Sequence, residues 1–319
     1  MQLPAMTLTK KIYESRGYIF DIQGLSVHDG PGCRTLIFLC GCTMNCFWCS
    51  NPEGITPRHS IMYSDEKCIG CGNCITNCDK GALILEDEKV EISRQLCHEC
   101  ENPTCAAECF TNALRISGFE ISVEKLFEII RRDRHFWGDD GGLTLTGGEP
   151  LLQFDFAREI LARCHQEYIH TAIETCGNIP WENLLGVIPY LDWIFFDLKH
   201  FDNKQHKIGT SSENRLILDN AKRLSKEFRG RLIFRLPLLP DYNDSEDNLN
   251  SIIAFLKEAG KKEINILPLH HLGKGKYTLL QKNYQGSSYS VPSIETLNNI
   301  RAVFMASGIE CYMASETPF

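Results

Sequence analysis

Sixteen cysteines occur in 319 residues, and eleven of them fall between Cys42 and Cys109, separated mostly by two to four residues. Thiols that close together either pair as disulfides or bind metal. Disulfide-dense frameworks belong to small secreted domains with too little core of their own. This chain is long enough for one large domain or two ordinary ones. Its first residues, MQLPAMTLTKKIYES, lack the apolar stretch and small-residue cleavage site of a secretory signal. A cytoplasmic location is therefore expected, and in a reducing compartment the thiols are read as metal ligands. The charge balance, 33 basic against 41 acidic residues for a net −8, argues against nucleic acid as a partner. No membrane span is expected either, because the longest apolar stretch, Leu184 to Phe196, is short and broken by Pro189 and Asp192.

Around the cysteines the chain follows a regular plan. Short apolar, β-branched runs at Thr35–Leu39, Leu143–Thr146, Thr171–Thr175, Trp193–Leu198, Leu232–Leu236 and Ile264–Leu267 read as strands. Amphipathic stretches such as Phe154–Glu167, Asn214–Glu227 and Ser245–Ala259 lie between them as helical crossovers. Six such units predict an α/β fold, an incomplete (β/α)6 barrel in preference to an open doubly wound sheet. Residues 61–118 interrupt the pattern with two cysteine blocks that resemble each other, a two-fold repeat. This stretch carries ten Asp or Glu against five Lys or Arg. The expected organisation is a leader at 1–16, a barrel from 17–60 and 119–319, and a compact insert at 61–118. Lys274–Ser290 reads as a polar loop.

Cys42, Cys46 and Cys49 form C-x3-C-x2-C directly after the first of these strands. Three thiolates can hold three irons of a cubane cluster and leave the fourth iron open for a ligand, whereas four cysteines close the site. A zinc site short of one ligand, or a ferredoxin fragment, would share the spacing. Two further features favour the open cluster. Trp48 lies between the last two cysteines, in the register where the radical S-adenosylmethionine (SAM) superfamily carries an aromatic residue. Thr146-Gly147-Gly148-Glu149-Pro150 ends the second strand, and paired glycines let main-chain groups approach a ligand closely. In combination these motifs resemble the radical SAM superfamily.

Within the insert, Cys68, Cys71, Cys74 and Cys78 follow the bacterial ferredoxin spacing without its final proline, and Cys97, Cys100, Cys105 and Cys109 follow a close variant. In two-cluster ferredoxins the fourth cysteine of each run ligates the other cluster. The expected sets are Cys68, Cys71 and Cys74 with Cys109, and Cys97, Cys100 and Cys105 with Cys78. Two four-cysteine zinc sites are the alternative. The remaining cysteines, Cys33, Cys40, Cys164, Cys176 and Cys311, are read as core residues, with Cys40 singled out for its closeness to Cys42.

Ser26-Val27-His28-Asp29-Gly30-Pro31-Gly32, the cysteine motif and Gly147-Gly148-Glu149 together resemble the activating enzymes of glycyl radical enzymes, over nearly the whole chain. The insert is similar to that of the long members of this family. The segments Val27–Thr35 and Gly308–Tyr312 look most like those of activators serving arylacetate decarboxylases. The resemblance implies three [4Fe–4S] clusters and SAM as cofactors. It implies one-electron cleavage of SAM to methionine and a 5′-deoxyadenosyl radical, which takes hydrogen from a glycine Cα of the partner protein. The implied partners are a glycyl radical enzyme, first of all a decarboxylase of 4-hydroxyphenylacetate, and a low-potential electron donor such as flavodoxin or ferredoxin. Trp48, Cys49 and Ser50 match residues that touch SAM, as do Gly148, the Asp197-Leu198-Lys199 run and His270. Asp29 matches a residue facing the partner's glycine loop, and Arg235 is placed to contact SAM's carboxylate or that loop. Glu174 stands where shorter activators carry Asp, which sets their monovalent cation site in question.

Two other function classes share some of these features. A polyferredoxin-like electron carrier would leave Gly147-Gly148-Glu149 without a purpose. A radical SAM enzyme using its extra clusters to anchor a small molecule is disfavoured by the full cysteine complement of each cluster. Activators of choline lyase or of glycerol/diol dehydratase remain alternatives within the family.

Overall fold

The computed structural model describes residues 15–86, 89–101 and 103–318. The expected leader lies almost wholly outside these residues, and Arg16, assigned to it, opens the first strand. The strands in chain order are β1 (Arg16–Ser26), β2 (Arg34–Leu39), β3 (Ser60–Tyr63), β4 (Leu83–Glu86), β5 (Lys89–Ile92), β6 (Leu114–Ser117), β7 (Phe119–Ser122), β8 (Gly142–Gly147), β9 (His170–Thr175), β10 (Trp193–Asp197), β11 (Arg231–Leu238), β12 (Glu263–Pro268) and β13 (Glu310–Met313).

Nine of them form one sheet, ordered β13-β12-β11-β10-β9-β8-β2-β1-β7. Every pairing from β2 through β8 to β13 is parallel, as helical crossovers require. The parallel run therefore has seven strands where six were expected. The addition is β13, whose four residues are aligned by β12 through Glu263 opposite Glu310 and Ile266 opposite Met313. Beyond β2 the sheet continues with β1 and β7, both antiparallel and neither foreseen.

The central strands are buried along most of their length because helices cover the outer face. Several crossover helices begin at a side-chain cap that accepts an otherwise unpaired amide: Ser122 from Lys125, Asp202 from Gln205, Ser245 from Asn248 and Ser293 from Thr296. One apolar core runs from Ile19 through Phe127, Leu145, Phe196 and Phe234 to Phe304 and binds sheet to helices. On the other face of the strands Ala172, Phe195 and Ile233 form a small separate cluster.

Residues 60–117 make a lobe with its own secondary structure. β3 pairs with β6 and β4 with β5, both antiparallel. A second apolar core of Ile61, Tyr63, Leu83, Val90 and Leu114 is shared with the thiols of Cys74, Cys97 and Cys105. The segment read as a polar loop, Lys274–Ser290, contains a helix at Lys274–Leu279 and a 3-10 turn at Gln285–Ser288. It joins the two parts. Gln281 donates to the Val90 carbonyl at 3.1 Å, and Arg94 donates to Gln281 at 3.3 Å. Polar composition had suggested solvent, but these amides and cations are spent on the lobe and on the loop that follows β2. Among the described residues no helix is long and apolar enough to cross a membrane.

Candidate active site

The C-terminal ends of the parallel strands surround a cavity of about 580 Å³. Barrel enzymes place their chemistry at this end because each strand delivers a residue there and the following loop can vary. The loop after β2 brings Cys42, Cys46, Trp48, Cys49 and Ser50 into the wall. Its path is fixed by main-chain bonds to distant segments: Cys42 donates to the Ile55 carbonyl at 3.0 Å, Asn45 to Thr210 at 2.8 Å and Phe47 to Gly209 at 3.0 Å. Aromatic packing secures the rest. Phe47 stacks on Tyr289 with centroids 4.7 Å apart, and Trp48 packs on Tyr242 at 5.3 Å.

Gly147 and Gly148 clamp this loop from the end of β8. Gly147 has φ +113°, a conformation glycine alone adopts readily. A Cβ on Gly148 would lie 2.1 Å from the Gly41 carbonyl oxygen and 2.8 Å from that of Gly54. Gly148 donates to Leu39 at 2.8 Å and Glu149 donates to Gly41 at 2.7 Å. The Glu149 carboxylate is fully buried, where it accepts from the Thr175 hydroxyl at 2.8 Å and the Cys176 amide at 2.9 Å. Burial pushes its carboxyl above the usual range, although these bonds oppose the shift. Glu149 thus ties β8 to β9 beneath the thiols.

The three thiols share one neighbourhood. Burial pushes Cys46 up to about 12, with Lys199 opposing and the Cys49 and Cys42 sulfurs adding to the rise. Burial likewise lifts Cys49 to about 11. Cys42 is lowered, chiefly because the Cys176 thiol hydrogen-bonds to it. Cys176, read as a core residue, does pack in the apolar core and lines the cavity as well, and only its place after β9 could have signalled the second role. Cys164 and Cys311 do belong to the core, and Cys40 is buried beneath Gly118 with no part in the wall. None of the sixteen cysteines is in a disulfide. Among the described residues no group of three His, Cys, Asp or Glu closes around a single metal ion. The donor set at the cavity is three soft thiols beside Lys199, chemistry suited to an iron–sulfur cluster with one iron left open.

The opposite wall carries an alternating row of charges. Arg235 donates to Glu174 at 2.5 Å and to Asp197 at 2.9 Å, and Lys199 donates to Asp197 at 3.0 Å. Thr146 adds a bond to Glu174 at 2.7 Å. Burial works against the Asp197 carboxylate, yet Arg235 and Lys199 hold it below the usual range. Glu174 is shifted upward because its burial outweighs the help from Arg235. Arg235, expected to face a ligand carboxylate or an incoming loop, is thus already held by two carboxylates of this chain. Leu198 departs further from expectation. Its side chain is 1% exposed in the core, and the residue is absent from the cavity wall. His270 stands exposed at the rim. Asp29 lines the cavity and accepts from the Ser26 hydroxyl at 2.5 Å, and its carbonyl accepts from Thr144 at 2.8 Å.

The thiols of the lobe fall into two groups. Cys68, Cys71, Cys74 and Cys109 line a cavity of about 60 Å³. Cys74 lies within electrostatic reach of Cys109, Cys68 and Cys71. In the other group Cys97 is influenced by Cys78 and Cys100, and Cys105 by Cys78, Cys97 and Cys100. Each run thus surrenders its fourth cysteine to the neighbourhood of the other.

Residues 36–251 match the Radical SAM superfamily. The 4-hydroxyphenylacetate decarboxylase activating enzyme of Clostridioides difficile (strain 630) is 41% identical over 308 residues, 95% of this chain and 98% of that one. The indoleacetate decarboxylase activating enzyme of Tractidigestivibacter scatoligenes is 36% identical over 304 residues, covering 93% and 96%. A solved domain of a pyruvate-formate lyase-activating enzyme from Bacteroides vulgatus ATCC 8482 superposes with a TM-score of 0.46 at 28% identity, covering 54% of this chain and 98% of that one. The chain belongs to the radical SAM superfamily and, within it, to the family of these activating enzymes.

Proposed function

We propose that this chain activates a glycyl radical enzyme, with an arylacetate decarboxylase as partner and the 4-hydroxyphenylacetate enzyme as first choice. One observation carries the reading: Cys42, Cys46 and Cys49 share a barrel mouth with the Gly147–Gly148 strap and the Asp197–Lys199 pair, in a chain so similar to named activators. A [4Fe–4S] cluster with SAM on its open iron supplies the one-electron cleavage and the hydrogen-abstracting radical. The chain's residues do the rest. Gly148, which lines the cavity, is the main-chain contact for the methionine part of SAM, and the Lys199 ammonium, steadied by Asp197, faces the site's anionic groups. Trp48 and Ser50 bound the cluster side, and His270 the open rim.

In the same reading residues 17–60 and 119–319 form the barrel, and 61–118 form a ferredoxin-like insert holding two further [4Fe–4S] clusters. The crossed grouping of Cys109 with Cys74 and of Cys78 with Cys105 supports the insert, since two-cluster ferredoxins exchange their fourth cysteines. The electron comes from a low-potential donor of the flavodoxin or ferredoxin kind. Mixing the reduced protein and SAM with candidate glycyl radical enzymes, without oxygen, tests the assignment by electron paramagnetic resonance. A glycyl doublet with 4-hydroxyphenylacetate decarboxylase is expected. A strong doublet with a choline lyase or glycerol dehydratase, and none with any arylacetate decarboxylase, would overturn the choice of partner.

A further inference from the structure

We propose that the strap after β13, residues 314–318, is the side wall against which the partner's glycine loop seats, and that buried Asn265 is the residue that positions it. The inference rests on the reading of the chain as an activator of a glycyl radical enzyme.

Among the described residues the parallel run ends at β13, which pairs with β12 and has no strand beyond it. Past that edge the cavity wall is made by the turn that leads out of β13. This is a 3-10 turn at Ala314–Glu316, and Ala314, Ser315 and Thr317 all line the cavity. The strap is held from three sides. Asn265 on β12, 2% exposed, donates to the Ala314 carbonyl at 2.9 Å and to the Thr317 hydroxyl at 2.6 Å. Arg231 donates to the Pro318 carbonyl at 2.9 Å. Glu316 accepts from the Met313 amide at 3.0 Å and pairs with Arg301 of the helix at Ile294–Ala306. These bonds keep Ala314 at φ +49°, a left-handed conformation that costs free energy for a residue with a Cβ. A buried amide with both its donors spent on a strained turn fixes where this wall stands.

The strap completes a stretch of wall that the SAM-side groups do not share. Asn265 lies opposite Arg235 in the β11–β12 register, and Arg235 is bonded to Glu174. Glu174 in turn is within electrostatic reach of Asp29. One stretch of cavity wall therefore runs from Asp29 through Glu174 and Arg235 to Asn265 and the strap. Gly148 follows β8 and the three thiols follow β2, the two strands at the other end of the parallel run. The strap side is thus left for a second occupant. A glycine has no side chain to be recognised, so a cavity that admits a glycine loop must fit the main chain around it. Ser315 is exposed and Thr317 buried, and both are small enough to leave width for a peptide while offering hydroxyls to its amides and carbonyls.

The test compares wild type with Ser315→Trp, which changes an exposed side chain, and with Asn265→Ala, which releases the strap. Each protein is reconstituted, reduced and mixed without oxygen with SAM and 4-hydroxyphenylacetate decarboxylase. KM and kcat for the decarboxylase are read from the growth of the glycyl radical signal, and SAM affinity by calorimetry. Hydrogen–deuterium exchange over residues 314–318 reports the strap itself. We expect KM for the decarboxylase to rise about tenfold in both variants, with kcat changed less and SAM affinity unchanged. Exchange in the strap should quicken in Asn265→Ala. An unchanged KM in Ser315→Trp, or SAM affinity weakened as much as KM rises, would overturn the wall, while the wild-type glycyl signal would leave the activator reading standing. SAM cleaved by the wild type with no glycyl signal in any candidate enzyme would overturn that reading and the wall with it.

Discussion

Gly148 has no room for a side chain. Its missing Cβ is 2.1 Å from a carbonyl of the thiol loop, and that contact is backbone against backbone. Gly148→Ala should therefore push Cys42 and its neighbours off their positions, at a cost of about 1–3 kcal/mol. The expected outcome is a lowered thermal midpoint together with weakened SAM binding in calorimetry; unchanged values for both would mean the strap is looser than its geometry. At the other end of the barrel, His170 offers a separate check. Burial and the charge of Arg34 lower its pKa from 6.5 to about 4, and its Nδ1 is buried with no hydrogen-bond partner among the described residues. An unfolded chain takes up this proton below pH 6.5 and the native one only near 4, so stability is lost as pH falls through that window. Melting curves from pH 7 to 5 should fall more steeply for the wild type than for His170→Gln. Parallel curves would show that the ring is solvated.

At the scale of elements, the barrel loop and the lobe contribute differently to the chemistry. In the proposed reading Cys46→Ala removes a cluster ligand in the SAM-facing loop, whereas Cys105→Ala alters a thiol that at most feeds it. With dithionite as reductant, which can bypass a relay, 5′-deoxyadenosine formation should vanish in the first variant and persist in part in the second. Complete loss in both would make the lobe structurally inseparable from the barrel. How much of this was legible in the sequence depended on how local each signal is. The buried parallel strands and the Cys42–Cys49 spacing announce themselves within a few residues, since apolar runs and ligand gaps are local. β1 and β13 did not. β1 is half-exposed and antiparallel, and β13 is four residues whose place is set by β12. Glu174 and Arg235 acquire their partners only when β9, β10 and β11 come side by side, and Cys176 only when the end of β9 meets the loops after β2 and β8, which no spacing along the chain encodes. Lys274–Ser290 was misread for the same reason: its polar groups are taken up by Val90 and Arg94 of the lobe, nearly two hundred residues away in sequence.

On the scale of the whole molecule, a parallel barrel mouth and a buried charge row enclose one cavity, and a thiol-rich lobe is attached beside it. The rim at His270 is the exposed side of that cavity, and the lobe is strapped to the barrel by Gln281 and Arg94. In the proposed reading, a carbon radical formed in this cavity must reach the intended C–H bond before any other. That intended bond belongs to a glycine of another protein, and this is the claim on which the account stands. It is tested by preparing the proposed partner, 4-hydroxyphenylacetate decarboxylase, with its glycines deuterated at Cα, mixing it without oxygen with the reduced protein and SAM, and weighing the 5′-deoxyadenosine by mass spectrometry. The account predicts that deuterium appears in the 5′-deoxyadenosine in step with the growth of the glycyl radical signal. Undeuterated 5′-deoxyadenosine formed in full yield would contradict it, because the hydrogen would then have come from somewhere else.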